Sequence, residues 1–190
     1  MDRKGALRPG QSSVAVPLRW SKLRVSQQGE DDYACGLHCI VTAARHLGST
    51  QVGASPRRLL GALAPGDATR IDARLPAVGL FEKDVRALAA AAGLGVYRPN
   101  MHDAGQFKEP GWLWMAFLLM RFTAPDGSES DERHYVLVID YLADDRALVV
   151  ADPHPWNPPV YCVALQEFES AWRAARAKGP PWAAALYKRA

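Results

Sequence analysis

Cysteine is scarce in this sequence, with three in 190 residues. A small, odd number cannot form a disulfide framework, so reduced thiols and a cytoplasmic setting are expected. At this length a single hydrophobic core holds without staples. An export signal is also missing: "MDRKGALRPGQSSVAVPLRW" is basic in places but has no apolar stretch long enough for a signal-peptide core. That leaves open only secretion by a route needing no such signal, as effectors use. Long hydrophobic runs are lacking too. The longest, "WLWMAFLLM" from Trp112 to Met120, is nine residues, whereas a bilayer-spanning helix needs about 20. It reads as a buried strand, and no membrane insertion is expected.

Charge of one sign is nearly absent as a net quantity: 23 basic against 20 acidic residues give +3. The excess gathers near the ends, at Arg3, Lys4, Arg8, Arg19, Lys22 and Arg24, and again at Arg173, Arg176, Lys178, Lys188 and Arg189. Scattered terminal charge of this kind reads as solvated surface, and a nucleic-acid partner is not expected. The sequence carries no sign of oligomeric state.

Residues 1–25 are rich in Gly, Pro, Ser and Arg and read as an N-terminal arm that becomes a strand, at most, near "SSVAVPLRW". Residues 26–190 read as one domain. Its first helix begins at or just before Cys35. Leu37, Ile40, Val41, Ala44 and Leu47 share one buried face, Gly48 suits the C-terminal cap, and Asp31 and Asp32 stand where they could cap the first amides. Between 49 and 80 one short helix is expected, around "SPRRLLGAL". "FEKDVRALAAAAGLG" is a helix ended by Gly93 or Gly95, and "VYR" a short strand after it. The strands "HYVLVIDYL" and "RALVVAD", joined by "ADD", suit a hairpin. "DPHPWNPPV" is a loop, and "ALQEFESAWRAARAKG" is an amphipathic closing helix. Helices first, antiparallel strands second and a helix last make an α+β arrangement.

Chemistry concentrates in "DDYACGLHCIVTAARHLG". Cys35, His38 and Cys39 occupy barely one helical turn and do not close a metal tetrahedron alone, and Cys162 brings no partner motif. A redox pair wants C-x-x-C, and the spacing here is C-x-x-x-C. Cys39 and Cys162 read as small buried hydrophobes. Cys35 differs because it opens a helix, where unpaired amides and the dipole favour a thiolate. Gly36 beside it would let substrate or backbone approach closely.

A cysteine nucleophile needs an imidazole, and the imidazole needs an orienting partner. His134 is read as the first residue of its strand, after the polar turn "TAPDGSESDER". The next strand runs into Asp152. In a hairpin with a short turn, those two positions lie about one cross-strand pair apart. His38, three residues from Cys35, is the rival base. His46 suits the last turn of the first helix, and His102 and His154 read as loop residues.

"ACGLHCIVTAARHLG", "HYVLVIDYLADDRALVVADP", "FESAW" and "VRALAAAAGLGVYR" together resemble the papain-like cysteine peptidases of the bacteriocin-processing type, which cut leader peptides after a double glycine. The likeness runs over roughly residues 26–173. It implies a papain-like fold, with the cysteine on an N-terminal helical part and the histidine and aspartate on a C-terminal antiparallel sheet. It implies Cys35 as nucleophile, His134 as general base and acid, Asp152 as the orienting acid, and a peptide or protein substrate, with no cofactor or metal. A glutamine six residues before the nucleophile usually serves the oxyanion hole in papain-like enzymes. Here Gly29 holds that position, and Gln28 is the candidate if "GEDDYA" carries a one-residue insertion. Ala34 also replaces the aspartate that precedes the family cysteine, and no transporter segment follows. Acyl transfer through the same thioester, and an inactive peptide-binding module, are the rival functions.

Overall fold

The computed structural model describes residues 5–29, 34–49, 55–99, 104–175 and 182–189. Six helices are present among them: α1 (Leu18–Ser21), α2 (Cys35–His46), α3 (Pro56–Gly61), α4 (Pro65–Val78), α5 (Glu82–Ala91) and α6 (Leu165–Ala174). The strands are β1 (Leu94–Tyr97), β2 (Leu113–Thr123), β3 (Glu129–Leu142), β4 (Ala147–Ala151), β5 (Val160–Ala164) and β6 (Ala183–Lys188). They form one sheet in the order β1-β6-β2-β3-β4-β5. Every neighbouring pair is antiparallel.

Apolar side chains cover both faces of this sheet, so its strands read as nearly continuous hydrophobic runs instead of clean alternations. On one face Leu37, Cys39 and Ile40 of α2 and Val85 and Leu88 of α5 share a core with Met115, Leu137 and Val149. On the other, Phe168 and Trp172 of α6 and Phe107, from a 3-10 turn at Ala104–Lys108, share a core with Trp114, Val136 and Val150. The mixed helix and antiparallel-sheet arrangement expected from the sequence is therefore present.

Particular elements differ from the sequence reading. The segment near "SSVAVPLRW" forms no named strand; Pro17 precedes the short helix α1 instead. Residues of the arm pack on the rest of the chain: Leu7 is buried and bridges to Met120, and Val14, Val16 and Trp20 pack against the helix-side core. The region 49–80 holds two helices where one was expected. Pro65 sits at the start of α4, where its missing N–H costs nothing. β5 and β6 were not foreseen, and β6 means the chain does not end on a helix. Its Ala183, Ala184 and Ala185 are buried in a strand inserted between β1 and β2; small side chains that fit such a slot carry little β signal. Lastly, β3 starts at Glu129, five residues before His134, because its charged half pairs with the end of β2 from Glu129↔Thr123 onward.

Two glycines bear on α2, one just past its end and one in its first turn. Gly48 has φ +66°, and the Ser49 N–H donates to Ala44 O at 2.9 Å, a Schellman-type stop. Gly36 was read as letting substrate or backbone approach closely; it is buried, and the space beside it is filled by side chains of the sheet and of the segment before α5. A Cβ there would lie 2.7 Å from Leu80 Cδ1, 3.1 Å from Met115 Cε and 3.2 Å from Tyr135 Cδ2. Overpacking costs about 1–3 kcal/mol against about 1 kcal/mol gained in helix propensity. Gly36→Ala should therefore lower the urea midpoint slightly and Gly36→Val strongly. Unchanged midpoints for both would mean the helix sits further from the sheet.

Candidate active site

Cys35 is the first residue of α2, and the residue at its N-cap is Ala34, which offers no side-chain oxygen to the free amides. Asp31 and Asp32, expected as caps, lie outside the described residues, as does His102. Cys35 is partly exposed while Cys39 and Cys162 are buried. The three polar side chains of the cluster go different ways. Cys39 Sγ donates to Tyr135 O at 3.4 Å. His38 Nδ1 lies 2.9 Å from Ser26 Oγ. The Cys35 thiol is close enough to the His134 ring to interact by charge and by side-chain hydrogen bonding. Among the described residues no group of three or more His, Cys, Asp or Glu side chains is arranged to hold a metal ion.

The hairpin β3–β4 carries the other two candidates. Leu137 pairs with Ala151, so Asp152, one residue on, falls diagonal to His134 and reaches its ring. His134 Nε2 and Asp152 Oδ1 are 2.8 Å apart. With Nε2 committed to the carboxylate, Nδ1 is the nitrogen left for the thiol. Both groups are buried, Asp152 to 0% exposure, and a buried carboxylate needs every lone pair engaged. Here it has four donors. Oδ1 also accepts the His154 N–H at 2.8 Å, and Oδ2 accepts Asn157 Nδ2 at 2.9 Å and the Tyr161 hydroxyl at 3.0 Å. The proline-rich loop folds back so that the Asp152 N–H donates to Pro159 O at 3.0 Å, which brings Asn157 and Tyr161 underneath the carboxylate. These two residues were missed in the sequence, where nothing but their closeness to Asp152 marks them.

Electrostatics follow from this packing. Burial works against a charged His134, but the Asp152 carboxylate and then the Cys35 sulfur outweigh it, and the ring is raised to about 10. For Asp152 burial pushes upward, while His134 and the loop donors hold the carboxyl below the usual carboxylate range. Burial raises the Cys39 thiol well above its ordinary value, with Cys35 and Asp152 adding to it. Burial raises Cys162 likewise. His154 lies in the loop as read, where it stacks on Phe122 at 4.0 Å and meets the His134 ring edge-on at 5.6 Å. Burial and the cationic His134 lower it to about 4, so it stands beside the site as a neutral ring.

Gln28 sits close to this constellation through its backbone, whose N–H donates to Pro153 O at 2.8 Å. Its side-chain Oε1 is buried with no hydrogen-bond partner. Beside the start of α2 runs an open cleft of about 650 Å³, floored by Ala34, Leu37, Leu60 and Leu75 and edged by Arg57 and Asp72. No helix among the described residues is long and apolar enough to cross a membrane.

No family model matches this chain, and no curated protein matches it. Among solved structures, it is similar to a double glycine motif protease from an AMS/PCAT transporter, determined in complex with the leader peptide. The TM-score is 0.49 at 14% identity, over 88% of this chain and 91% of that one. A likeness at this level decides nothing about chemistry.

Proposed function

We propose that this protein is a cysteine peptidase of papain-like fold, cleaving a peptide or peptide-like amide bond through a Cys35–His134–Asp152 triad. One observation carries the reading. A fully buried, four-fold hydrogen-bonded aspartate grips one nitrogen of His134, and the ring interacts on with a thiol at a helix start.

The ring is cationic at neutral pH and stands beside the Cys35 sulfur. The Cys35 sulfur attacks the scissile carbonyl carbon, and the electron pair of the C=O bond moves to oxygen. The backbone N–H of Cys35 and the carboxamide of Gln28 donate to that oxyanion. His134 then gives its proton to the leaving amine as the C–N bond breaks, leaving a thioester. Once the sulfur is acylated its negative charge is gone. One of the influences that raised His134 is removed with it, so the ring is a better acid as the amine departs and a better base for the incoming water. Water loses a proton to His134 and attacks the thioester; the C–S bond breaks, releasing the acid and restoring the charged sulfur beside the protonated ring. The apolar cleft beside Ala34 receives side chains of the substrate next to the scissile bond.

The test is to trap the acyl-enzyme. Incubation with small activated peptide esters, followed by intact-mass and peptide mapping, should place one acyl group on Cys35, discharged by water. Discharge only on adding an amine or thiol would convert the reading to acyl transfer, and no acylation by any ester would leave a binding module. If Gln28 serves the oxyanion, Gln28→Ala should lower kcat by about 10² with KM little changed. A KM effect alone would make Gln28 a substrate-contact residue.

A further inference from the structure

At the end of α2 farthest from Cys35, an open groove of about 670 Å³ is lined by Arg19, Trp20, Lys22, Arg24, Arg45 and His46, with Leu23 between them. The sequence alone scattered these cations; the fold collects them. Trp20 fixes the floor: its Nε1 donates to Asp140 Oδ2 at 2.6 Å, and its ring packs on His46 at 5.2 Å. Elsewhere Arg8, Arg74, Arg98, Arg121 and Arg173 each hold a carboxylate. In the groove Arg19 is held by Asp140, whereas Lys22 and Arg24 have no carboxylate partner among the described residues.

We infer that this groove is an exosite for an acidic segment of a peptide or protein. The chemistry argues for spaced carboxylates over a compact phosphate. A phosphate cradle uses converging backbone N–H groups at a helix N-terminus or a glycine-rich turn. Here neither is present: the groove lies at the C-terminal end of α2, and "RWSKLR" contains no glycine. The positive charge instead sits on long, separate side chains, which suit carboxylates distributed along an extended chain. α2 spans 12 residues, so the groove lies about 17 Å from Cys35 at 1.5 Å per residue. An extended peptide covers that distance in about five residues. The link to cleavage rests on the peptidase reading; the binding itself does not.

Binding is measured with Cys35→Ser protein and a fluorescein-labelled hexaglutamate peptide, by anisotropy at low and high salt. Affinity should fall with salt, and Lys22→Glu/Arg24→Glu should weaken it about tenfold or more. In the Cys35 protein the same double substitution should raise KM for a peptide bearing an acidic tail. It should leave kcat/KM for a short neutral peptide unchanged. Hexaglutamate binding that ignores the charge reversal would overturn the inference. So would inorganic pyrophosphate or a single-stranded RNA decamer that binds more tightly than hexaglutamate at equal charge. Hexaglutamate binding without cleavage of any peptide would keep the groove and remove the peptidase reading.

Discussion

Cys35→Ala and His134→Ala should each lose about 10⁴-fold or more in kcat/KM, and the double variant should be no worse than the poorer single one. Nucleophile and base act as a unit: without the ring the thiol lacks its cationic neighbour and the leaving amine lacks its proton. Cys35 is partly exposed at a helix start, and its loss leaves no large cavity, so a folded, inactive Cys35→Ala protein is expected by circular dichroism and urea titration. Losses that multiply in the double variant would mean that the two side chains act independently. That result would end the triad account.

Asp152→Asn is expected to cost activity and stability together, with a signature in pH. The amide keeps one acceptor oxygen where the carboxylate has two, so its NH₂ meets donors from His154, Asn157 or Tyr161. Each buried donor left unsatisfied costs about 1–3 kcal/mol. With the carboxylate gone, His134 also loses the strongest influence raising it, while burial still disfavours its charge. The ring then sits neutral near pH 7, and kcat should fall by about 10²–10⁴. In the unaltered protein His134 titrates near 10, against a starting value of 6.5. A raised folded value stabilises fully below 6.5, and that contribution is lost as pH rises through about 10. Asp152 behaves oppositely: its folded value lies below 3.8, so its contribution is present above 3.8 and lost as pH falls through the folded value. The alkaline limb of kcat/KM should therefore stand near pH 10 and move well down in Asp152→Asn. An alkaline limb near 6.5 in both proteins would show that the pair does not control the ring.

Much of the candidate site's geometry could be read from the sequence because it is local. A thiol at a helix start needs only the apolar periodicity of Leu37, Ile40, Val41 and Ala44. The approach of His134 to Asp152 needs only a hairpin with a short turn. What escaped depends on chain returning from a distance. Asn157 and Tyr161 reach Asp152 through a loop whose closure, Asp152 N–H to Pro159 O, no spacing rule announces. His154 looked polar and turned out to be half of a stacked pair with Phe122. β6 is an alanine run that becomes a strand because β1 and β2 leave a slot for it. α4 was not foreseen in a stretch rich in Gly, Pro and Ala, although Pro65 stands at its start. Gly36 was marked for close approach of substrate or backbone, and the neighbours that come close are the side chains of Leu80, Met115 and Tyr135.

The pairing of Cys35 with His134 is tested most directly by the order in which the thiols react. A brief pulse of iodoacetamide at pH 6, quenched and peptide-mapped, should label Cys35 first and by a wide margin. Cys35 is partly exposed beside the cationic ring, whereas Cys39 is 1% and Cys162 3% exposed, and burial raises both thiols. His134→Ala should slow the labelling of Cys35 sharply, and His38→Ala, whose ring faces Ser26, should leave it unchanged. Labelling of Cys39 or Cys162 ahead of Cys35, or a rate that follows His38 and ignores His134, would contradict the proposed nucleophile and base.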